Sequence, residues 1–234
     1  MWPVKSIRKS ELRPVPWKTS DVILGLGLVV VSVLVVVFIY RALGEDPGSG
    51  LGLAVIGGTT YGIVLLASWL MGPVRYGASL RSLGFRLPTP RGYLQLLLPL
   101  LVLGASLAFT GVYAGLVSLL GWEMPRTLPK EFVLEGPALI GSFAVVVLWG
   151  PLAEEVFFRG FIFSGLTGRY GFARAAVASS LLFALAHGAL EVIAPIFVTG
   201  MLLAWLYHRT GSLWGCVGAH ALQNALVFSI TVGA

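Results

Sequence analysis

Long stretches of sequence that contain no charged residue constrain this chain more than any other feature. Seven such stretches can be distinguished, and most approach the ~20 residues that a helix needs to cross a bilayer. Charged residues make up 11% of the 234 residues, whereas soluble domains carry about 25%. A water-soluble globule is therefore excluded, and we predict an all-α polytopic bundle of about seven spanning helices. The stretches cover residues 22–40, 51–72, 93–122, 136–153 with an apolar continuation to about 168, 175–190, 192–207 and 213–234.

The basic residues between these stretches predict an orientation. With a cytoplasmic N-terminus, twelve of the sixteen Lys and Arg residues lie on the inner side and three on the outer side, and Arg159 lies in the membrane. Cytoplasmic loops are enriched in Lys and Arg, so we expect this orientation and a multi-pass protein of the cell membrane. The positive net charge is then explained by membrane topology, and we expect no nucleic acid partner. The first apolar run is longer than a secretory signal core, so we expect it to be retained.

Three charged residues occur within one apolar segment. A charge at the bilayer centre costs on the order of 3 kcal/mol on insertion scales, and intramembrane ionisable groups are functional by default. Glu155 and Arg159 are spaced i,i+4, so they share a helix face and can pair. Glu154 is rotated from Glu155 by about 100° around the helix. We therefore expect Glu154 to be the carboxylate that is available for chemistry.

Three further polar residues fall at similar depth in later apolar segments. From the predicted inner edges, Glu154, His187, His220 and Asn224 lie about 21, 20, 12 and 18 Å into the membrane at helical rise. His220 and Asn224 are spaced i,i+4, so they also share a face. The sequence thus predicts a single polar site near mid-membrane that opens toward the cytoplasm.

These groups suit the hydrolysis of a peptide bond by an activated water. Glu154 together with neutral His187 could polarise a water, and His220 with Asn224 could donate hydrogen bonds to the oxyanion that forms. We predict that no cofactor is required. Zinc is the alternative, with Glu154, His187 and His220 as ligands, but the His-Glu-x-x-His pattern that would favour zinc is missing.

Two interpretations without proteolysis stay open at this point. A proton-coupled transporter component could use the glutamates and histidines as a relay, although we find none of the paired halves that are common in transporters. A non-catalytic membrane scaffold or immunity protein could keep the same polar site without cutting anything. The sequence alone does not separate such a scaffold from an enzyme.

Three motifs, taken in order, resemble those of a known family. Glu154-Glu155-x-x-x-Arg159, Phe183-x-x-x-His187 and His220-x-x-x-Asn224 are similar to the motifs of the CPBP intramembrane endopeptidases. This family includes type II CAAX prenyl endopeptidases and bacteriocin-processing or immunity proteins. The resemblance covers about residues 137–230.

The resemblance implies a function and a role for each motif residue. It implies proteolysis near the cytoplasmic membrane surface without a metal, with a CAAX-type or leader peptide as a possible substrate class. Glu154 would be the base and His187 its partner on the water. Glu155 and Arg159 would be positioning residues, and His220 with Asn224 would form the oxyanion site.

The sequence divides into three regions on these grounds. We expect residues 1–21 to form a basic cytoplasmic arm and residues 22–136 to form N-terminal transmembrane helices without a recognisable motif. Residues 137–234 would be the catalytic transmembrane helices. The expected partners are membrane lipid and a membrane-associated or lipidated peptide or protein substrate.

Overall fold

The described part of the chain is entirely helical in its regular elements. The computed structural model describes residues 13–88, 93–122, 128 and 130–233. The all-α prediction is confirmed, and the helices begin and end within a few residues of the predicted apolar runs. In the numbering used below they are α1 Thr19–Ala42, α2 Gly50–Met71, α3 Leu94–Leu119, α4 138–170, α5 172–185, α6 Ile193–Thr210 and α7 Leu213–Val232.

Six helical segments in the described ranges are long and apolar enough to cross a membrane, against about seven predicted. The difference lies in Ala138–Leu185, a stretch of 48 residues that counts as one segment although the backbone of Gly171 is not helical. Gly171 has φ 74° and ψ 173°, a conformation that is essentially restricted to glycine. Residues 172–185 are about 21 Å long at helical rise, which is less than the ~30 Å hydrocarbon core.

The chain reverses direction at Gly171. The Ser179 hydroxyl donates a hydrogen bond to the Phe158 carbonyl at 2.7 Å. In one straight helix these two residues would be about 31 Å apart. The rings of Phe158 and Phe183 are also in contact, with centroids 5.1 Å apart. Helices α4 and α5 therefore form an antiparallel pair, as the separate fourth and fifth apolar runs predict.

The middle of α4 is the centre of the bundle. Every residue of Val156–Phe163 is buried, and this segment contacts α2, α5, α6 and α7. The indole N–H of Trp17 donates to the Phe161 carbonyl at 2.9 Å, which fixes the chain before α1 against α4. The centre of α4 is thus held from several sides.

Helix α4 departs from regular α-helical geometry on both sides of the two glutamates. The segments Ala144–Trp149 and Val156–Phe163 are π-helical, and Gly150–Glu155 between them is α-helical. Side chains donate to the carbonyls of the second π segment, from Ser179 to Phe158 and from Ser164 to Arg159. Such donors satisfy backbone groups that lipid cannot. π-helical turns occur frequently at functional sites.

A polar cluster ties α3 to the C-terminal helices. The hydroxyls of Ser106 and Thr199 lie 2.6 Å apart, and Ser106 also donates to the Gln223 side chain at 3.0 Å. Polar contacts of this kind hold helices together where both sides are surrounded by lipid. They place α3 against α6 and α7.

The predicted orientation stays a prediction, because the arrangement of helices alone does not assign the two sides of the membrane. Five of the basic residues counted for it, four on the inner side and one on the outer side, lie outside the described residues. They are Lys5, Arg8, Lys9, Arg91 and Arg126. The division into an arm and two groups of helices also stays a prediction.

Candidate active site

A buried ion pair lies at the base of the candidate site. The Nη1 atom of Arg159 is 2.9 Å from Oε1 of Glu155, and both side chains are at most 1% exposed. Arg159 Nη2 also donates to the Gly200 carbonyl at 3.4 Å, and its guanidinium lies 4.4 Å from the centre of the Phe183 ring. The pairing expected from the i,i+4 spacing is therefore present, and α5 and α6 surround it.

The imidazole of His220 joins the two glutamates. Its Nδ1 atom lies 2.9 Å from Glu155 Oε1, and its Nε2 atom lies 3.7 Å from Glu154 Oε2. We assign the Nδ1 proton from this contact, since an ionised carboxylate only accepts hydrogen bonds. A neutral ring then turns the lone pair of Nε2 toward Glu154. A buried carboxylate orients the catalytic histidine of serine proteases in the same manner.

Glu154 differs from its neighbour in exposure and in partners. Its side chain is 18% exposed, whereas that of Glu155 is fully buried. Within the described residues the Oε2 atoms of both glutamates are buried without a hydrogen-bond partner, but Oε1 of Glu155 accepts from Arg159 and contacts His220. Because Arg159 pairs with Glu155 instead, the Glu154 carboxylate remains available as a proton acceptor. This agrees with the rotation of about 100° between adjacent helical residues.

Among the described residues, no hydrogen bond or ion pair joins His187 to Glu154, and its predicted role on the water stays a prediction. The side chain is exposed, and its Nδ1 atom lies 2.9 Å from the Phe183 carbonyl. In the described structure the imidazole next to Glu154 is that of His220. The Phe183 ring touches both histidines, with ring centroids 4.9 Å from His187 and 5.8 Å from His220. Phe183 therefore packs against both histidines.

Asn224 faces α4, as its spacing from His220 predicts. Its Nδ2 atom donates a hydrogen bond to the Val146 carbonyl at 2.9 Å, within the first π-helical segment. A carboxamide carries two N–H donors, so one donor remains after this contact. His220 and Asn224 therefore turn toward the same helix that carries the two glutamates.

Tyr61 of α2 packs against α4 one turn before Glu154 and was missed by the sequence interpretation. The tip of the ring lies over Gly150, where an added Cβ would be 2.9 Å from both Cζ and the hydroxyl oxygen. The sequence feature that could have pointed to Tyr61 is the group of three polar residues Thr59, Thr60 and Tyr61 within a mostly apolar run. This group matches no motif.

The arrangement does not fit the zinc alternative. Among the described residues, no group of three or more His, Cys, Asp or Glu side chains is placed to hold a metal ion. Of the three ligands proposed for zinc, Glu154 and His220 face each other, whereas His187 is not grouped with them. We therefore assign no step of the proposed reaction to a metal ion.

Comparison with known proteins supports the resemblance stated from the motifs. Residues 136–226 match the family model described as "Type II CAAX prenyl endopeptidase Rce1-like". The chain is 35% identical over 108 residues to the "Putative membrane peptidase YdiL" of Bacillus subtilis strain 168, which is 46% of this chain and 43% of that protein. It is 30% identical over 128 residues to the "Membrane-embedded CAAX protease MroQ" of Staphylococcus aureus strain USA300, or 52% of this chain and 49% of that protein.

These matches cover part of each protein. The matched segments span less than half the length of the two curated relatives, and no solved structure matches the chain significantly. The family match contains all six candidate residues from Glu154 to Asn224. The predicted family resemblance is thereby confirmed for this region. With the six helices that are long enough to span, it identifies the chain as a multi-pass membrane protein.

Proposed function

We propose that the chain is a membrane-embedded endopeptidase that hydrolyses a peptide bond with a water activated by Glu154. The observation that carries the proposal is the placement of Glu154 Oε2 3.7 Å from Nε2 of His220, whose ring a second, charge-paired glutamate holds in place. A purely structural ion pair accounts for Glu155 and Arg159 but gives no role to Glu154, which lies outside that pair.

The reaction begins with transfer of a proton from water to the Glu154 carboxylate. The hydroxide adds to the carbonyl carbon of the scissile bond and forms a tetrahedral intermediate with a negative oxygen. The proton then moves to the leaving nitrogen as the C–N bond breaks, which gives an amine and a carboxylic acid that loses its proton to water. General-base transfer of this kind contributes about 10²–10⁴-fold to a rate.

The other residues orient the base and stabilise the intermediate. Arg159 neutralises Glu155, and Glu155 fixes the ring of His220 by accepting from Nδ1. The geometry favours His220 over His187 as the direct neighbour of Glu154, so His187 would act once a peptide is bound. The second N–H of Asn224 is the oxyanion donor in this scheme.

The substrate class follows from the surroundings and from the relatives. A site within apolar helices selects a peptide that is itself membrane-associated or lipidated. The names of the matching family and of MroQ contain the term CAAX, which favours a lipidated C-terminal peptide, with a leader peptide as the second option. We expect entry from the cytoplasmic side.

The proposal is tested by incubating the purified full chain with a farnesylated peptide and a proteome-derived peptide set. Wild type is expected to cleave at least one peptide, and Glu154→Gln is expected to abolish that cleavage because the base is lost. Asn224→Ala is expected to lower kcat by about 10²–10³, as for loss of one oxyanion donor. Wild-type turnover by Glu154→Gln would overturn the proposal.

A further inference from the structure

We infer that Ser179 of α5 is a positioning residue for Arg159, whose place in the π-helical segment it fixes through one buried hydrogen bond. This inference rests on the proposed function, in which Arg159 and Glu155 hold the ring of His220 in place. Ser179 lies outside the three motifs, so the inference extends the site to a residue that the sequence interpretation did not select.

The two peptide groups next to the Cα atom of Arg159 are each held by a buried serine hydroxyl. The Ser179 hydroxyl donates to the Phe158 carbonyl at 2.7 Å, and that carbonyl belongs to the peptide group before Arg159. The Ser164 hydroxyl donates to the Arg159 carbonyl at 3.0 Å, and that carbonyl belongs to the peptide group after it. Because a peptide group is planar, holding its oxygen also fixes its orientation. The two hydroxyls therefore fix the backbone from which the Arg159 side chain extends.

The two serines differ in what they hold together. Ser164 lies on α4, so its contact with Arg159 stays within one helix. Ser179 lies on α5, so its contact fixes α5 against α4. Phe183 follows one helical turn after Ser179 and shares its face, and its ring centre lies 4.4 Å from the Arg159 guanidinium. The hydrogen bond of Ser179 therefore also sets the position at which this ring meets the guanidinium.

The guanidinium of Arg159 has several partners at once, which leaves it little freedom to move. Its Nη1 atom is 2.9 Å from Glu155 Oε1, and its Nη2 atom donates to the Gly200 carbonyl at 3.4 Å. The same Glu155 oxygen lies 2.9 Å from Nδ1 of His220. A shift of the backbone at Arg159 would therefore move Glu155 and, through it, the ring that faces the proposed base.

Ser179→Ala removes the hydroxyl and leaves the rest of α5 unchanged. We expect kcat on a peptide that the wild type cleaves to fall about 10- to 100-fold, since a misplacement of ~1 Å caused by a mutation away from the chemistry can cost about 10² in rate. KM is expected to stay unchanged, because Ser179 bonds the backbone of α4 and not a peptide. The measurement is steady-state cleavage by the purified full chain.

Two other serines provide matched controls. Ser180→Ala changes the next residue on α5, which is equally buried, but its hydroxyl has no hydrogen-bond partner among the described residues. Ser68→Ala removes a buried hydroxyl that donates to the Val64 carbonyl at 2.8 Å within α2. It therefore loses the same kind of hydrogen bond away from Arg159. Both controls are expected to keep wild-type kcat and KM.

The outcomes separate this inference from the proposed function. Turnover by Glu154→Gln would overturn both. An inactive Glu154→Gln together with wild-type kcat in Ser179→Ala would overturn the role of Ser179 alone. Equal losses of kcat in Ser179→Ala and in either control would show a general effect of losing a buried hydroxyl and would also overturn it. Thermal unfolding in detergent is measured in parallel, and a Ser179→Ala protein that is unfolded at the assay temperature would make the contact structural and overturn the inference as well.

Discussion

The imidazole of His220 turns its Nε2 atom toward Oε2 of Glu154, 3.7 Å away. The opposite nitrogen of the ring contacts the next glutamate in the sequence at 2.9 Å. Two adjacent carboxylates thus meet two sides of a single ring, because adjacent helical residues point about 100° apart. One is fully buried and paired with Arg159, and the other is partly exposed and lies outside that ion pair. The helix therefore places two chemically identical side chains in different environments.

Loss of the buried Arg159 should destabilise the folded protein, so a loss of activity in this variant would not by itself show a catalytic role. Arg159→Ala leaves the Glu155 carboxylate buried without its cation, which costs about 3–5 kcal/mol in comparable pairs. We expect a lower midpoint of thermal unfolding in detergent. Arg174→Ala, at an exposed site on α5, is the control and should unfold as wild type does. Equal midpoints for the two variants would contradict this assignment of the ion pair.

The positions of the helices could be predicted from the sequence because bilayer thickness sets the length of each apolar run. The pairing of Glu155 with Arg159 followed from helical spacing alone. The depth of a residue along the membrane normal, however, does not give its position in the membrane plane. It therefore does not predict which histidine faces which carboxylate. His187 and Glu154 share a depth, yet His220 is the residue in contact.

Features that depend on other helices could not be predicted. The depth estimate separated Glu154 from His220 by about 9 Å, yet the two side chains face each other at 3.7 Å. Their separation depends on how α4 and α7 pack together, which helical rise along each separate segment does not give. The contact of Tyr61 with Gly150 likewise depends on how α2 packs against α4, and no local pattern encodes it.

Metal removal should leave the proposed activity intact. We expect full turnover after exhaustive chelation, because no group of three or more His, Cys, Asp or Glu side chains among the described residues is placed to hold a metal ion. The measurement is peptide cleavage before and after dialysis against a chelator, with metal content determined in parallel. Activity that vanished and returned with stoichiometric zinc would convert these residues into ligands.

Cysteine labelling tests the predicted orientation. In a Cys216→Ala background, Glu45→Cys probes the connection between α1 and α2, and Ser79→Cys probes the one between α2 and α3. Both positions are exposed. The excess of Lys and Arg on one side predicts that a membrane-impermeant maleimide labels the first only from outside and the second only from the cytoplasm. The reverse pattern would invert the topology.

The reversal at Gly171 makes the sharpest prediction about the fold. With φ 74° and ψ 173°, this residue has a backbone conformation that costs other residues about 1–3 kcal/mol, so Gly171→Ala should lower stability by that amount. Gly168→Ala is the matched control, since that glycine is exposed within α4 and an added Cβ meets no atom within 4 Å. The control should be neutral or up to about 1 kcal/mol more stable, because alanine favours helix. Chemical unfolding in detergent measures both. If Gly171→Ala were as stable as its control, the positive φ at residue 171 would not be required for the turn that returns α5, and with it Phe183, to α4.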